Sequence, residues 1–233
     1  MKLGILNTCS PQDEADFQAK EFENFQRLFG LTQHHLTLCE YRVTEDEFPE
    51  ADDCDAYLIT GSPKGVYDDE LWIKKLGDFI REAYAAQRKL IGICFGHQIL
   101  AHSLGGHAEK SEKGWGAGLR EVTINQKYPW MSPPLTKGAF YFCHQDQVMT
   151  LPPQAEVLAG NTFCPNGMFV IDDQVLGVQA HPEFTPEVMT KAINWLDESL
   201  QAGNMTEARD TVQAREADNS IMVQWIVNFL GTT

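Results

Sequence analysis

The residues with the clearest chemical potential lie in KLIGICFGHQILA, residues 89–101, where one cysteine stands between two glycines. Cys94 follows an apolar run typical of a strand and precedes a pattern typical of a helix, and Gly92 and Gly96 flank it. This G-x-Nuc-x-G arrangement is typical of a nucleophile elbow, a tight strand-to-helix turn that exposes the reactive atom. A Cβ at either glycine would crowd that turn. On this motif alone, a buried structural cysteine beside two packing glycines remains an equal alternative.

A cysteine at the start of a helix gains two chemical advantages. The partial positive charge of the helix N-terminus favours the thiolate over the thiol. The backbone N–H of Phe95, the residue after Cys94, has no partner within such a helix and points to where an oxyanion would form. The elbow therefore predicts a thiol nucleophile, provided that a base lies nearby.

The best candidate for that base lies in GVQAHPEF, residues 177–184. Residues two apart on an extended backbone face the same side, so Glu183 can hold the His181 ring through one nitrogen while the other faces Cys94. Pro182 between them has a fixed φ and no competing N–H. By itself an H-P-E triplet is more often a surface loop. Together with the upstream elbow, it predicts a Cys–His–Glu triad.

Three segments together resemble the class I (triad-type) glutamine amidotransferases: GICFGHQILA, AHPEF and ITGSPKGVYDD. The nearest resemblance is to a stand-alone branch similar to the glutaminase domain of GMP synthase, and it extends from the first strand to about Glu187. It implies Cys94 as nucleophile, His181 as general base and acid, and Glu183 as the residue that orients His181. The implied reaction releases ammonia from the γ-amide of glutamine through a γ-glutamyl thioester.

The same resemblance implies a second oxyanion donor in the loop TGSPKGVYDD, which maps to the backbone N–H of Gly61. Many family members have two glycines before the proline of this loop, whereas here Ser62 takes the second place. Whether Ser62 changes the flexibility of this loop stays an open question. An ordinary surface turn is the alternative interpretation of the segment.

The resemblance also implies residues that bind the substrate. Gln98 lies one helical turn after Cys94 and so faces the same pocket, where the family uses it to hold glutamine. The segment CHQDQV matches a family loop that lines the glutamine site, and it contributes His144, Gln145 and Asp146. We expect Asp146 near the substrate ammonium group and mainly backbone contacts from the other two. A simple turn at a strand end would give the same pattern.

The elements around these residues predict how they are positioned. From the N-terminus to Gly106, strand-like and helix-like segments alternate, which predicts a parallel sheet covered on both faces. Short strand candidates then follow, among them LREVTI, GAFYFCHQDQV, GMFVIDD and VLGVQAH, and they predict a small antiparallel extension. The fold class expected is α/β, flavodoxin-like, with one domain over residues 1–233 and C-terminal helices from about residue 186. An apolar stripe in the last segment, around Trp225, predicts core packing, with partner docking as the alternative.

The net charge, the lengths of the apolar segments and the spacing of possible ligands argue against several classes of function. The formal net charge of −15, without a Lys/Arg cluster, argues against nucleic-acid binding. The N-terminus lacks a secretory signal and no stretch is long enough to span a bilayer, so we expect a cytoplasmic protein with reduced thiols. The six cysteines and seven histidines have no metal-ligand spacing, and no phosphate-binding glycine motif is present. We therefore expect no metal and no cofactor.

Two catalytic functions and one non-catalytic function remain open. The first is a glutaminase that passes ammonia to a separate synthetase subunit of unknown identity. The second is a γ-glutamyl peptidase, with the same thioester chemistry and a different leaving amine. The third is a ligand- or protein-binding relative without activity, against which the intact triad residues count. The order Cys–His–Glu also differs from an α/β-hydrolase, whose acid precedes its histidine. The oligomeric state stays open.

Overall fold

The structure is a computed structural model that describes residues 1–16, 20–199 and 205–231. Its strands are β1 Lys2–Asn7, β2 Thr37–Arg42, β3 Ala56–Ile59, β4 Lys89–Ile93, β5 His107–Lys110, β6 Gly116–Ile124, β7 Lys137–His144, β8 Asp146–Thr150, β9 Glu156–Gly160, β10 Met168–Ile171 and β11 Val175–Val178. Its helices are α1 Pro11–Asp16, α2 Glu21–Gly30, α3 Leu71–Ala85, α4 Phe95–Ser103, α5 Pro186–Ser199, α6 Thr206–Ala214 and α7 Asn219–Leu230.

A nine-stranded sheet forms the centre of the fold, in the order β2-β1-β3-β4-β11-β10-β9-β6-β7. The first five strands of that order pair in parallel, and the remaining pairs are antiparallel. A separate two-stranded sheet joins β5 to β8. The predicted α/β class, with a parallel sheet and an antiparallel extension, is confirmed.

Helices cover both faces of the sheet because its strands alternate their buried side chains between two clusters. On β3, Leu58 packs in the cluster with α2 and α7, whereas Tyr57 packs in the cluster with α3 and α4. A third cluster lies between α5, α6 and strands β6 and β7. In α7 the predicted stripe is core: Trp225 is fully buried, and its indole N–H donates to the carbonyl oxygen of Pro133 at 2.9 Å.

Some local predictions differ from the structure. The segment GAFYFCHQDQV was expected as one strand, but it forms β7 and β8, which separate at Gln145. β8 pairs with β5 rather than with the central sheet. Gly30 is the last helical residue of α2, and Leu31 takes the cap position. The first two helices are α1 and α2, and residues 17–19 between them lie outside the described residues. α5 begins at Pro186, as expected from the sequence.

The register between strands β4 and β11 positions the two segments of the candidate site. β11 pairs in parallel with β4, and Val178 lies opposite Ile93. The backbone N–H of Cys94 then donates to the carbonyl oxygen of Val178 at 2.9 Å. The two strands therefore end side by side, with the GICFG turn on one and the segment leading to His181 on the other.

Candidate active site

The turn at Cys94 has the geometry that its glycines suggested. Cys94 is the N-cap of α4, with φ 52° and ψ −103°, in a region that non-glycine residues rarely adopt. Such a conformation costs about 1–3 kcal/mol and persists only where the surroundings enforce it. A Cβ on Gly92 would come within 2.3 Å of the Gly96 backbone, and one on Gly96 within 2.2 Å of the carbonyl oxygen of Ile59. Both glycines are therefore required for the strand and helix to approach this closely.

The predicted His–Glu pair is formed and buried. The Nδ1–H of His181 donates to Glu183 Oε1 at 2.6 Å, and the two residues are 5% and 1% exposed. The His181 N–H donates to the carbonyl oxygen of Tyr141 at 2.8 Å, which holds the segment against β7. Burial opposes a charge on the ring, but the negative charges of Cys94 and Glu183 prevail and raise the pKa of His181 well above its usual value.

Cys94 and His181 lie on opposite sides of one small gap. A Cβ placed on Gly61 would lie 3.0 Å from His181 Cε1 and 3.7 Å from the Cys94 Cβ, so all three residues converge there. His181 Nε2 has no other hydrogen-bond partner among the described residues, and Cys94 acts on the ring through charge and hydrogen bonding. The free ring nitrogen is therefore available for a proton from the thiol.

Two further thiols line the same cavity but have surroundings that favour the neutral form. Burial, followed by the charge of Glu21, raises the pKa of Cys9 well above its usual value. Burial raises the pKa of Cys143 to about 12. Of these three cavity thiols, Cys94 is the one that stands at a helix N-terminus and faces a histidine.

The backbone around the thiol offers free N–H groups. The N–H groups of Gly61, Ser62 and Phe95 donate to no acceptor in the described part of the chain. The Gly96 N–H donates to the carbonyl oxygen of Thr60 at 3.1 Å, which fixes the peptide that carries the Gly61 N–H. Preorganised N–H groups of this kind stabilise an oxyanion without moving during the reaction.

The predicted substrate-binding residues line the cavity, but several of their polar atoms are already engaged. The Gln98 side-chain amide donates to the carbonyl oxygen of Asp146 at 2.9 Å and to Gln179 Oε1 at 3.1 Å. His144 Nδ1 lies 2.8 Å from the same carbonyl, so this nitrogen carries the proton. Burial lowers the pKa of His144 to about 3, which keeps its ring neutral.

The Asp146 carboxyl group is available to a ligand, whereas its carbonyl oxygen holds Gln98 and His144 in place. Burial raises the pKa of this carboxyl group, and a hydrogen bond from the Tyr67 hydroxyl opposes that effect. Gln145 joins Asp146 in the cavity lining. The turn between β7 and β8 thus presents one carboxyl group beside the elbow, as the sequence suggested for an ammonium-binding position.

These residues border one cavity of about 560 Å³. One part of the lining, the Cys94 end, consists of the Cys94 elbow, the loop that contains Gly61 and the β7–β8 turn. The rest of the lining, the second end, was not predicted from the sequence. It is lined by carboxylates and an amide from α1 and α2 and by a mainly apolar surface beside and along α5: Asp13, Glu14, Glu21, Asn24, Trp115, Phe184, Val188, Ala192 and Trp195. The spacing of Val188, Ala192 and Trp195 on one helical face was the available signal.

Glu21 is the most unusual residue of this second end. It is 8% exposed, and among the described residues its side chain accepts only a long hydrogen bond, 3.5 Å, from Asn24. Burial, followed by the charge of Glu183, raises the pKa of Glu21 to about 8. The carboxyl group is therefore largely protonated at neutral pH, close to the charged His–Glu pair.

Other functional groups give simpler results. No cluster of three or more metal-ligating side chains occurs among the residues that the structure describes. All six cysteines are free thiols. Along the described parts of the chain, no helix has both the length and the apolar character needed to cross a bilayer.

Comparison with known proteins gives consistent matches. The model of the glutamine amidotransferase class-I family matches residues 15–195. Gamma-glutamyl peptidase 3 of Arabidopsis thaliana is 31% identical over 238 residues, covering 97% of this chain and 94% of that protein. A glutamine-hydrolyzing GMP synthase of Porphyromonas gingivalis is 33% identical over 144 residues, which cover 60% of this chain and 27% of that protein. A glutamine amidotransferase structure from Thermotoga maritima has a TM-score of 0.78 at 17% identity, covering 98% of this chain and 97% of that one.

Proposed function

Because the chain belongs to the glutamine amidotransferase class-I family, we propose that it hydrolyses γ-glutamyl amides whose leaving amine is larger than ammonia. In this proposal it acts as a γ-glutamyl peptidase, with Cys94, His181 and Glu183 as its catalytic triad. The observation that carries the proposal is the cavity lining, which includes His181, the Phe184 ring stacked on it and the apolar face of α5.

In the first half of the reaction, His181 Nε2 takes the thiol proton and the Cys94 sulfur attacks the γ-carbonyl carbon. Glu183 supports the charged imidazolium through the 2.6 Å hydrogen bond to Nδ1. The oxyanion of the tetrahedral intermediate accepts hydrogen bonds from the backbone N–H of Phe95 and of Gly61, with the Ser62 N–H beside them. Loss of one such donor typically costs about 2.7–4 kcal/mol of transition-state stabilisation.

Collapse of this intermediate breaks the carbon–nitrogen bond. His181 gives its proton to the departing amine, and the glutamyl group stays on sulfur as a thioester. In the second half, His181 takes a proton from water, the hydroxyl attacks the thioester carbonyl, and the thiol is regenerated with release of glutamate. In this proposal the Asp146 carboxyl group pairs with the ammonium group of the glutamyl part, and Gln98, His144 and Gln145 line the same cavity.

The size of the cavity favours a leaving group larger than ammonia. One water molecule occupies about 30 Å³ in the liquid, which is a generous volume for one non-hydrogen atom. At that value, the roughly ten non-hydrogen atoms of glutamine would fill about 300 Å³. The cavity measures about 560 Å³. The remaining volume can hold the rest of a γ-glutamyl compound, because the lining continues from His181 to Phe184, which stacks on its ring, and onto α5. The similarity to a gamma-glutamyl peptidase along almost the whole length of both chains also supports this proposal.

A glutaminase that supplies ammonia to a separate synthetase is the second candidate. The observation in its favour is the match to a GMP synthase, in which this chain corresponds to 27% of a longer protein. The two candidates share the triad and differ in what occupies the second end of the cavity, so substrate preference separates them.

The experiment is a comparison of kcat/KM for L-glutamine and for γ-glutamyl dipeptides, with free glutamate, ammonia and amine measured separately. We expect at least about tenfold higher kcat/KM for the preferred γ-glutamyl amide than for glutamine, since binding of the larger leaving group contributes to the transition state. The Cys94→Ala protein, prepared in the same way, is the blank. Faster release of ammonia from glutamine than of amine from every other compound would favour the glutaminase and contradict the proposal.

A further inference from the structure

We propose that the second end of the cavity is a leaving-group subsite for amines with an apolar body and no carboxylate. This inference rests on the proposed function, because it concerns the group that leaves from the γ-glutamyl thioester step. It assigns a substrate preference: γ-glutamyl derivatives of neutral, aromatic-sized amines over γ-glutamyl peptides that end in a free carboxylate.

The position of the subsite follows from the chemistry of His181. Since this ring protonates the departing nitrogen, the leaving group must extend from the His181 side of the thiol. Phe184 stacks on the His181 ring, with centroids 4.1 Å apart and an angle of 19° between the planes. From Phe184 the cavity wall continues onto α5.

The wall of the subsite is mainly apolar. Val188, Ala192 and Trp195 follow one another at helical spacing on the same face of α5, and Trp115 from the segment before β6 also borders the cavity. Val188, Trp115 and Phe184 are half-buried, so part of their apolar surface remains open to the cavity. Clustered apolar surface of this kind beside a reactive group is typical of ligand-binding cavities.

The charges around the subsite disfavour an anion. Asp13 and Glu14 line the cavity from α1, whereas the Glu183 carboxylate is paired with the charged ring of His181. Arg42 lies beside Glu14 at 3.5 Å but is itself shared with Glu40 at 3.4 Å.

The cations described near this end of the cavity are engaged by other groups. Arg27, which does not line the cavity, donates to the carbonyl oxygen of Glu183 and to Asn24 Oδ1. Among the cavity-lining residues that the structure describes, the lysine and arginine side chains are Lys64 and Lys110. Lys64 pairs with Glu70 at 3.0 Å, and Lys110 lies opposite Asp146 across β5 and β8, at the glutamyl end. A carboxylate on the leaving group would therefore meet Asp13 and Glu14 without a cation on the cavity wall beside it.

The test compares γ-glutamyl-phenylalanine with γ-glutamyl-phenylalaninamide, which differ only in that a neutral amide replaces the carboxylate. We expect kcat/KM to be at least about tenfold higher for the amide, because like charges brought together disfavour the carboxylate. γ-Glutamyl-glycinamide, which lacks the aromatic ring, should be the poorer substrate of the two neutral compounds. Equal values for the carboxylate and the amide, or a preference for the carboxylate, would overturn the inference and leave the proposed function intact.

A charge placed in the subsite provides a second test. Val188→Lys adds a cation to the wall, and this cation attracts the carboxylate of γ-glutamyl-phenylalanine. The preference for the neutral amide should therefore fall about tenfold. Thr190→Lys is the matched control, since Thr190 is exposed on the same helix and does not line the cavity. An unchanged preference in a folded Val188→Lys protein would contradict the subsite. Hydrolysis of neither amide, while Cys94 still reacts with iodoacetamide, would contradict the proposed function itself.

Discussion

The two ends of the cavity are built in different ways. At the Cys94 end, strand termini and backbone hydrogen bonds set the positions: Cys94 N–H to Val178, Gly96 N–H to Thr60 and His181 N–H to Tyr141. At the other end, side chains from helices α1, α2 and α5 form the wall. Backbone bonds within a sheet allow little adjustment, whereas side chains on a helix can be exchanged one at a time.

This difference separates reaction from selectivity. The rigid end holds the atoms that the proposed thioester chemistry needs, and that chemistry is the same for every γ-glutamyl compound. In the proposed function the helical end meets only the leaving group, so its side chains decide which amine is accepted. Substitutions at the first end should therefore change kcat for all substrates, and substitutions at the second should change the ratio between substrates.

The largest effect is expected from His181→Asn. Removal of the proposed base and acid should lower kcat for every γ-glutamyl substrate about 10²- to 10⁴-fold, the usual contribution of proton transfer by a positioned side chain. The thiol should also react more slowly with iodoacetamide near neutral pH, because the charged ring no longer favours the thiolate. Activity and alkylation rate are the two measurements.

His35→Asn serves as the control for His181→Asn, since His35 is exposed and outside the cavity. It should leave both rates unchanged. Cys94→Ala identifies the alkylated residue by mass. If His181→Asn kept the wild-type alkylation rate and kcat, the pairing of this ring with Cys94 would be wrong.

A smaller loss is expected from Gly61→Ala. The new Cβ would lie 3.0 Å from His181 Cε1, so the ring must move by a few tenths of an ångström. Since a misplacement of about 1 Å costs roughly 100-fold, we expect kcat to fall about tenfold for all substrates alike. Steady-state kinetics on two γ-glutamyl amides checks this. Gly30→Ala is the control, because nothing lies within 4 Å of a Cβ there. If Gly61→Ala changed the ratio of kcat between the two γ-glutamyl amides, the separation of the two ends would be contradicted.

The Cys94 end was largely predictable from the sequence, because its determinants are local. Glycines at positions 92 and 96 define the elbow, and a two-residue spacing places His181 and Glu183 together. The alternation of strands and helices then indicated that both segments end at one edge of the sheet. Here short-range patterns and the known behaviour of parallel strands were sufficient.

The helical end was not predictable for the opposite reason. Glu21 and Trp195 are far apart in sequence, and only tertiary packing brings both to the same cavity. Gln98 shows a related limit: its helical position predicted the cavity correctly, but its bond to Gln179 depends on a residue that follows β11. Likewise, the separation of β7 from β8 at Gln145 depends on pairing with β5, which the local pattern does not record.

Glu21 offers a test of the helical end that does not need a substrate. Its pKa is raised to about 8 by burial and by Glu183, above the unfolded value of about 4.3, so the folded protein retains a proton that the unfolded chain has lost. Its contribution to stability is therefore complete below about pH 4 and is lost as the pH rises toward 8. The free energy of unfolding should fall by up to about 1.4 kcal/mol per pH unit in this window because of this group.

Glu21→Gln should remove that part of the pH dependence, since the amide has no proton to lose. The measurement is urea unfolding of both proteins at several values between pH 5 and 8.5, with the difference between them plotted against pH. The variant should gain stability over the wild type as the pH rises. Parallel curves would mean that Glu21 is ionised across this range and does not lie in the low-polarity, negatively charged surroundings described above.

The smallest effect is expected from Val188→Ala, which removes two methyl groups from the α5 wall of the proposed subsite. At about 0.8 kcal/mol for each buried carbon, a partly covered side chain should cost a few-fold in kcat/KM for γ-glutamyl-phenylalaninamide. Glutamine, whose ammonia does not reach α5, should be hydrolysed as before. Thr190→Ala on the exposed face of α5 controls for a general effect on the helix. An equal loss with both substrates would mean that Val188 supports the shape of the whole cavity, and the division between a catalytic end and a selective end would not extend to this residue.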